Sequence, residues 1–241
     1  MRGGAPPGGA VLIAAPVTRA LRRAFARVSR WGEALPPAAQ ARLARPAARR
    51  ELARRSYVDA YWRVREATPL ILAAVGALNA RGESEAAAFW IRHLDEELGH
   101  DLIQYRDLVD VFGGRRRADA ALARQPISPP SAAIVGYFHW QVAHADPHLL
   151  MVYRFFLELF MVEMPAHADF FRAELGPRAT RTVTVHRELD RGHVGACGGY
   201  LDRHFRRRDL AALLWSVDFI AARLAESQLW IVSRMLAPRA R

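Results

Sequence analysis

The sequence contains no lysine, only one cysteine and no long uninterrupted run of apolar residues. All 35 basic residues are therefore arginine, which together with abundant alanine indicates a codon-usage bias rather than selection for phosphate contacts. The formal net charge of +11 is consequently weak evidence for a nucleic-acid partner, and none is expected. The lone Cys197 excludes an internal disulfide bond and fits a reducing cytoplasm. Because no stretch approaches the ~18 apolar residues that a membrane span needs, stable membrane insertion is not expected either.

The positive charge is concentrated at the N-terminus. Residues 1–50 carry ten arginines and a single acid, Glu33, whereas the rest of the chain is nearly neutral. The segment also begins with a Gly/Pro-rich stretch, a composition typical of chain that packs poorly. We therefore predict a basic, flexible N-terminal extension with one short surface helix over residues 1–48 and a folded domain over residues 49–241. A surface helix that contacts a membrane or a protein partner is the alternative for the extension.

The region after Glu51 has a helical pattern almost throughout. Apolar residues recur at intervals of three and four, and the alternation typical of strands is absent. Glycine and proline pairs such as Gly113-Gly114 and Gly176-Pro177 mark helix boundaries. The pattern predicts helices over residues 51–80, 83–112, 131–144, 147–163 with a continuation to 175, 178–206 and 209–236. The sequence therefore predicts an all-α bundle of about six long helices, whose interior can gather ligands from several helices.

Two segments carry a histidine, an acid and a histidine at intervals of four and three residues. They are His93, Glu97 and His100 in the first segment and His186, Asp190 and His193 in the second. At about 100° per residue, each set falls within an arc of roughly 60° on its helix. A solvated face with local ion pairs is the alternative, but flanking apolar residues give each helix a surface that can turn the polar stripe inward. We therefore interpret each stripe as half of one metal site.

A buried metal pair needs a further carboxylate from another helix, and Glu158 is the strongest candidate. It lies among large apolar residues, where an acid is costly unless a cation neutralises it. Arg154, one helical turn earlier, is the alternative neutraliser, and Glu163 is a weaker candidate ligand near the helix end. Oxygen and imidazole ligands suit iron or manganese, and the absence of cysteine clusters argues against structural zinc.

The other reactive side chains show no comparable pattern. Cys197 continues the second stripe one turn beyond His193, but a single buried cysteine usually serves core packing. Five further histidines are not predicted to be ligands, and we expect them to be structural or surface groups: His139, His144, His148, His167 and His204.

Over residues 55–235, approximately, the chain resembles the heme-oxygenase-like diiron oxidases, a family also called iron-containing redox enzymes. The resemblance rests on these motifs: His93-x-x-Glu96-Glu97-x-Gly99-His100, Asp107-Leu108, Pro147 with Tyr153 and Leu157-Glu158, and the His186, Asp190 and His193 triad. It implies an all-α, heme-oxygenase-like bundle of about six to seven helices.

The resemblance also implies a diiron site and its chemistry. The implied ligands, which are also the implied catalytic residues, are Glu97, His100, Glu158, His186, Asp190 and His193. His93 or Glu96 could replace one ligand from the first helix. Members of the family use two ferrous ions and O2 to oxidise a small organic substrate by oxidative decarboxylation, C–C cleavage or N-oxygenation. Manganese at one of the two positions, an external electron donor and a homodimer are each compatible with this interpretation.

Three other functions remain open on the sequence alone. A metal-free enzyme of the same fold, similar to the quinone-cofactor synthase or thiaminase-type members, would use His and Glu as acid and base. A ferritin-like iron-binding protein would use two Glu-x-x-His helices, a pattern that lacks the additional His186. An arginine-rich binding module would use the N-terminal extension to contact nucleic acid or anionic lipid.

Overall fold

The computed structural model describes residues 12–237, and for residues 187–191 it describes the backbone only. Within this range the chain forms twelve α-helices and no strand. The helices are α1 (Ala14–Ser29), α2 (Pro37–Leu43), α3 (Pro46–Arg65), α4 (Ala67–Ala80), α5 (Ser84–Glu97), α6 (His100–Phe112), α7 (Arg115–Arg124), α8 (Pro129–His144), α9 (Leu150–Glu163), α10 (Pro165–Leu175), α11 (Arg181–His204) and α12 (Leu210–Leu236). Short 3-10 turns lie at Trp31–Ala34, Pro147–Leu149, Pro177–Ala179 and Arg207–Asp209. The prediction of an all-α fold is confirmed.

Two of the predicted helices are interrupted. The predicted helix over residues 83–112 divides into α5 and α6, because Leu98 is extended and Gly99 has a φ of 87°. Glycine adopts that backbone conformation without a steric cost, so the chain can turn at this point. The predicted helix over residues 51–80 divides at Glu66, where α3 ends and α4 begins. Helix α7 lies in a stretch for which the sequence predicts a connector.

Helix α9 forms the centre of the bundle. It is apolar around nearly its whole circumference, the pattern of a helix that is buried on all sides. Neither α9 nor any other described helix is long and apolar enough to cross a membrane. Helix α9 packs most extensively against α11 and also contacts α1, α8, α10 and α12. Of its charged residues, Arg154 and Glu158 are therefore carried into the interior together with Phe155 and Phe156.

The N-terminal segment is part of the bundle. Val17, Leu21 and Phe25 recur at intervals of four on α1 and are buried in the main core, where α1 packs against α11 and α12. The Phe25 ring meets the Phe156 ring edge to face, with 5.1 Å between the centroids. The arginines of α1 lie on its exposed face. The prediction of a flexible extension over residues 1–48 is thus corrected for the part that the structure describes, and residues 1–11 lie outside the described residues.

A buried polar network fastens α3 to α8 and α12. Asp59 on α3 accepts hydrogen bonds from the Ser131 hydroxyl at 2.6 Å and from the Ser227 hydroxyl at 3.0 Å. Its other carboxylate oxygen accepts one from the Ser128 amide at 2.7 Å, and the Arg63 guanidinium lies 2.5 Å away. Burial opposes ionisation of Asp59, but Arg63 and the hydrogen bonds outweigh burial and lower its pKa. The network keeps α3 at a fixed place in the bundle. Residues of α3 also line a cavity inside the bundle.

Candidate metal centre

The last turn of α5, the start of α6, the middle of α9 and the first half of α11 converge on one point inside the bundle. They bring together seven side chains: His93, Glu96, Glu97, His100, Glu158, His186 and His193. Glu96 is exposed, and the others are buried or half-buried. Five of the six ligands implied by the family resemblance are among the seven. The sixth, Asp190, lies on α11 at a position whose side chain is outside the described part of the structure.

Glu97, His100 and His186 form the first ligand group. One ligand-type atom from each lies within 4.8 Å of those of the other two. His100 Nδ1 is 3.2 Å from Glu97 Oε2, and the His100 and His186 ring centroids are 4.4 Å apart. His186 Nδ1 donates to the Thr182 carbonyl oxygen at 2.8 Å. That bond leaves Nε2 as the acceptor atom of a neutral ring, which is the state in which histidine binds a metal.

The His186 ring is held neutral by its surroundings. Burial is the main cause that lowers its pKa, and the nearby His100 acts in the same direction. Glu97 opposes this effect without overcoming it.

His93, Glu96 and His193 form the second ligand group. One ligand-type atom from each again lies within 4.8 Å of those of the other two. His193 Nε2 is 3.0 Å from Glu96 Oε2, and the His93 and His193 ring centroids are 5.4 Å apart. The hydrogen bond to Glu158 raises the pKa of His193, although burial opposes it. Burial lowers the pKa of His93 to about 4, and Arg154 adds to this effect. The two rings of one group therefore differ in their affinity for a proton.

Glu158 lies between the two groups. Its Oε2 is 3.1 Å from His193 Nδ1, and its Oε1 is 3.6 Å from His93 Nε2. Ligand-type atoms of His93, Glu97 and Glu158 also lie within 4.8 Å of one another. With 2% of its surface exposed, Glu158 is a carboxylate that the fold has placed within reach of both groups. Carboxylates in that position can bridge two ions in helix-bundle metal sites.

Arg154 supplies the positive charge that these acids face. Its Nη2 is 2.7 Å from Glu97 Oε1 and donates to Glu158 Oε1 at 2.8 Å. Its Nε donates to His93 Nε2 at 3.1 Å, so this nitrogen of His93 is an acceptor. Burial opposes ionisation of Glu97, but Arg154, His100 and His186 together outweigh burial and hold the pKa of Glu97 well below its ordinary value. The alternative neutraliser that the sequence suggested for Glu158 is thus observed, and it serves Glu97 as well.

Three buried polar atoms near the centre have no hydrogen-bond partner among the described residues. They are Glu97 Oε1, Gln104 Oε1 and Tyr153 Oη. Glu97 Oε1 is close to Arg154, but the angle between the two groups is not that of a hydrogen bond. Buried polar atoms are rarely left without a partner, so a ligand at this point is physically reasonable. Together with a donor set of carboxylate oxygens and imidazole nitrogens, this observation fits a pair of iron or manganese ions.

A mostly apolar cavity of about 160 Å³ adjoins the centre. Glu97, Glu158 and His186 form part of its wall, and Gln104 and Tyr153 add the unpartnered polar atoms. The apolar part of the wall comes from residues of α4, α9 and α10: Leu70, Ile71, Leu157, Met161 and Phe171. The cavity suits a small organic molecule with one polar group.

Glu163 and Cys197, which the sequence analysis also considered, are not part of the seven-residue cluster. Glu163 forms an ion pair with Arg22 of α1 at 2.7 Å and lies outside the seven-residue cluster. Cys197 is buried one turn beyond His193 and forms no disulfide. Helical spacing identified both histidine stripes, but it could not reveal that Arg154 reaches Glu97, because these residues lie on different helices.

The architecture is the all-α, heme-oxygenase-like fold. A domain of unknown function with a heme oxygenase-like fold from Shewanella denitrificans matches with a TM-score of 0.67 and 14% sequence identity, over 95% of this chain and 94% of that chain. A TenA homolog from Pseudomonas syringae pv. tomato matches with a TM-score of 0.67 and 13% identity, over 97% of this chain and 99% of that chain. No protein-family profile and no curated protein matches the sequence. Likeness at these identities establishes the fold, so the chemistry must be argued from the side chains.

Proposed function

We propose that this protein is a non-heme iron enzyme that holds two ions in the candidate metal centre and uses O2 to oxidise a small organic substrate. The observation that carries the proposal is the pair of three-residue ligand groups with Glu158 between them. Each group offers two imidazoles and one carboxylate, a donor set that suits iron. The two iron ions, when bound, would supply the activation of O2.

The proposed ligands divide between two ions. One ion would be held by Glu97, His100 and His186 and the other by His93, Glu96 and His193, with Glu158 within reach of both. Asp190 stays in the proposal as a ligand implied by the family resemblance. Manganese suits the same donors and could take one of the two positions.

The chain's own residues prepare the centre for this role. Arg154 keeps Glu97 ionised inside the bundle, so that a ligand-competent carboxylate is present before an ion arrives. The Thr182 carbonyl fixes the His186 tautomer. Glu97, His100 and Glu158 are buried, so electrostatic interactions among them are stronger than they would be in water.

The cavity indicates the class of substrate. Its apolar wall favours a small and mainly hydrocarbon molecule, and Gln104 Oε1 and Tyr153 Oη offer partners for one polar group. Oxidative decarboxylation, C–C cleavage and N-oxygenation are the reaction types that fit such a molecule and the family resemblance. We expect an external electron donor to take part.

Iron binding is the first test. The full-length protein is loaded anaerobically with ferrous iron, freed of unbound iron and analysed by iron quantitation and Mössbauer spectroscopy. We expect about two iron ions per chain, as in other paired-carboxylate helix-bundle sites. His193→Ala should lower the iron content sharply, and His139→Ala, which removes a half-exposed histidine paired with Glu66, should not. Wild-type protein that retains no more iron than His193→Ala would contradict the proposal.

A second candidate function is metal-free acid–base catalysis, and the position of Arg154 favours it. Arg154 already neutralises Glu97 and Glu158, so the acids do not require a metal for charge balance. The His193–Glu158 pair has the raised histidine pKa of a proton-transfer group. The thiaminase-type alternative considered from the sequence belongs to this class, and one matched structure is named a TenA homolog. Turnover that survives complete removal of metal by a chelator would favour this candidate over the iron enzyme.

The other two alternatives have less support. In a ferritin-like iron store, the additional His186 beside Glu97 and His100 would have no role. A detachable arginine-rich module is hard to reconcile with α1, whose apolar side is built into the core.

A further inference from the structure

We propose that Glu83, His148 and His204 form a second cation site that binds one divalent transition ion such as Zn²⁺. The inference is independent of the proposed function, because none of the three residues belongs to the candidate metal centre. One ligand-type atom from each side chain lies within 4.8 Å of those of the other two. Glu83 immediately precedes α5, His148 lies in the 3-10 turn before α9, and His204 is the last residue of α11. An ion at this point would join three separate elements.

The donor set and its exposure suit a cation that arrives from solvent. Two imidazoles and one carboxylate are the protein ligands of many three-ligand zinc sites, in which water takes the fourth position. Glu83 Oε2 is 2.6 Å from His148 Nε2, so two of the donors already face each other. The Glu83 side chain is 36% exposed, whereas His148 is buried. A carboxylate at the rim can attract the ion, and the imidazoles can complete its shell.

His204 is the residue that points most directly to a ligand. Its Nε2 atom is buried and has no hydrogen-bond partner among the described residues. Such an atom is costly unless something supplies a partner. The His204 and His148 rings are stacked, with 4.8 Å between centroids and 20° between planes. A ligating ring points its nitrogen lone pair at the ion, so binding requires the rings to turn about χ2, a soft rotation in histidine.

Tyr200 positions His148 for this role. Its Oη is 2.6 Å from His148 Nδ1 and accepts the indole N–H of Trp90 at 3.2 Å. Histidines that bind metals commonly make a hydrogen bond through the other ring nitrogen, which fixes the ring orientation. With Nδ1 engaged by Tyr200, Nε2 of His148 faces Glu83. The Trp90 ring in turn contacts His93, so Tyr200 and Trp90 lie between this site and the candidate metal centre.

Zinc binding by the full-length protein tests the proposal. Equilibrium dialysis against Zn²⁺ gives stoichiometry and affinity for the wild type and four variants: Glu83→Gln, His204→Ala, His144→Ala and His100→Ala. His144 is an exposed histidine of α8 and serves as the matched control. His100→Ala removes a ligand from the first group of the candidate metal centre and leaves Glu83, His148 and His204 unchanged. We expect wild type, His144→Ala and His100→Ala each to bind one zinc ion at this site with similar affinity. Glu83→Gln and His204→Ala should bind that ion at least ~10-fold more weakly.

A fifth variant tests the positioning role. Tyr200→Phe keeps all three ligands and should weaken the same zinc ion by roughly 10–100-fold. Melting curves without metal check that each variant folds, and Glu83→Gln, at a half-exposed position, decides the question if His204→Ala does not fold. Equal zinc affinity in wild type and Glu83→Gln would overturn the proposal. So would an equal loss in His144→Ala, because that result indicates adsorption to surface histidines.

Discussion

Replacing Arg154 with methionine tests whether one buried cation holds the acids of the candidate metal centre. The guanidinium is 6% exposed and lies 2.7 Å from Glu97 and 2.8 Å from Glu158. Removing one partner of a buried ion pair costs roughly 3–5 kcal/mol. Because Arg154→Met leaves two acids without their partner, we expect the upper part of that range. For a chain of this length, that corresponds to a fall of roughly 10–15 °C in the melting temperature.

The loss should depend on pH in a defined direction. Arg154 lowers the pKa of Glu97 against the effect of burial. Its contribution is therefore fully present above the unfolded pKa of about 4.3 and is lost as the pH falls through the lower folded value. The deficit of Arg154→Met, measured by circular dichroism on chelator-treated protein, should be largest at neutral pH and should shrink on acidification. Arg22→Met, which breaks the exposed pair with Glu163, is the control and should melt almost like wild type.

The same variant separates the two candidate functions. If ions bind at the centre, ferrous iron or Mn²⁺ should raise the melting temperature of Arg154→Met more than that of wild type, because the ion then neutralises the acids. A melting temperature that does not respond to either ion would contradict the iron proposal. Arg154→Met protein that melts within about 2 °C of Arg22→Met at neutral pH would refute the ion-pair reasoning itself.

Three further outcomes follow from the core. Asp59→Asn should destabilise the fold by roughly 3 kcal/mol in urea titrations, because Arg63 and three hydrogen bonds lose their charged acceptor; an unchanged midpoint would argue against the network. Phe25→Ala should cost about 3–5 kcal/mol, since α1 belongs to the core, whereas a flexible extension would give no loss. Burial lowers the pKa of the partly buried His167 to about 4. His167 should therefore lower the stability by roughly 1–2 kcal/mol as the pH drops from about 6.5 toward 4, because only the unfolded chain gains a proton at this residue. His167→Gln should lose that part of the pH dependence and keep the part that comes from His93.

The helices were largely predictable because their apolar residues follow the helical period. The break at Gly99 was harder to foresee, since glycine also occurs inside helices and only its positive φ reveals the turn. The assignment of α1 failed for a different reason. The arginine content of the N-terminus hid the four-residue repeat of Val17, Leu21 and Phe25, which is what buries the helix. The charged residues of such a helix lie on its exposed face, whereas the apolar residues at intervals of four form the face that packs against the core.

The candidate metal centre was predictable to the extent that its residues share a helix. His186 and His193 were found from their spacing on α11, and Glu158 from its apolar neighbours. Local spacing cannot find residues that meet from distant parts of the chain. Glu83 and His148 are 65 positions apart, and no periodicity relates them. Such contacts arise only from packing of the whole bundle.

Anomalous diffraction at the iron edge, from crystals of ferrous-loaded protein, tests the central claim most directly. We expect two peaks, one among Glu97, His100 and His186 and one beside His193, with the Arg154 guanidinium no longer between Glu97 and Glu158. A map without iron peaks in this region, and with Arg154 still paired to both acids, would contradict it.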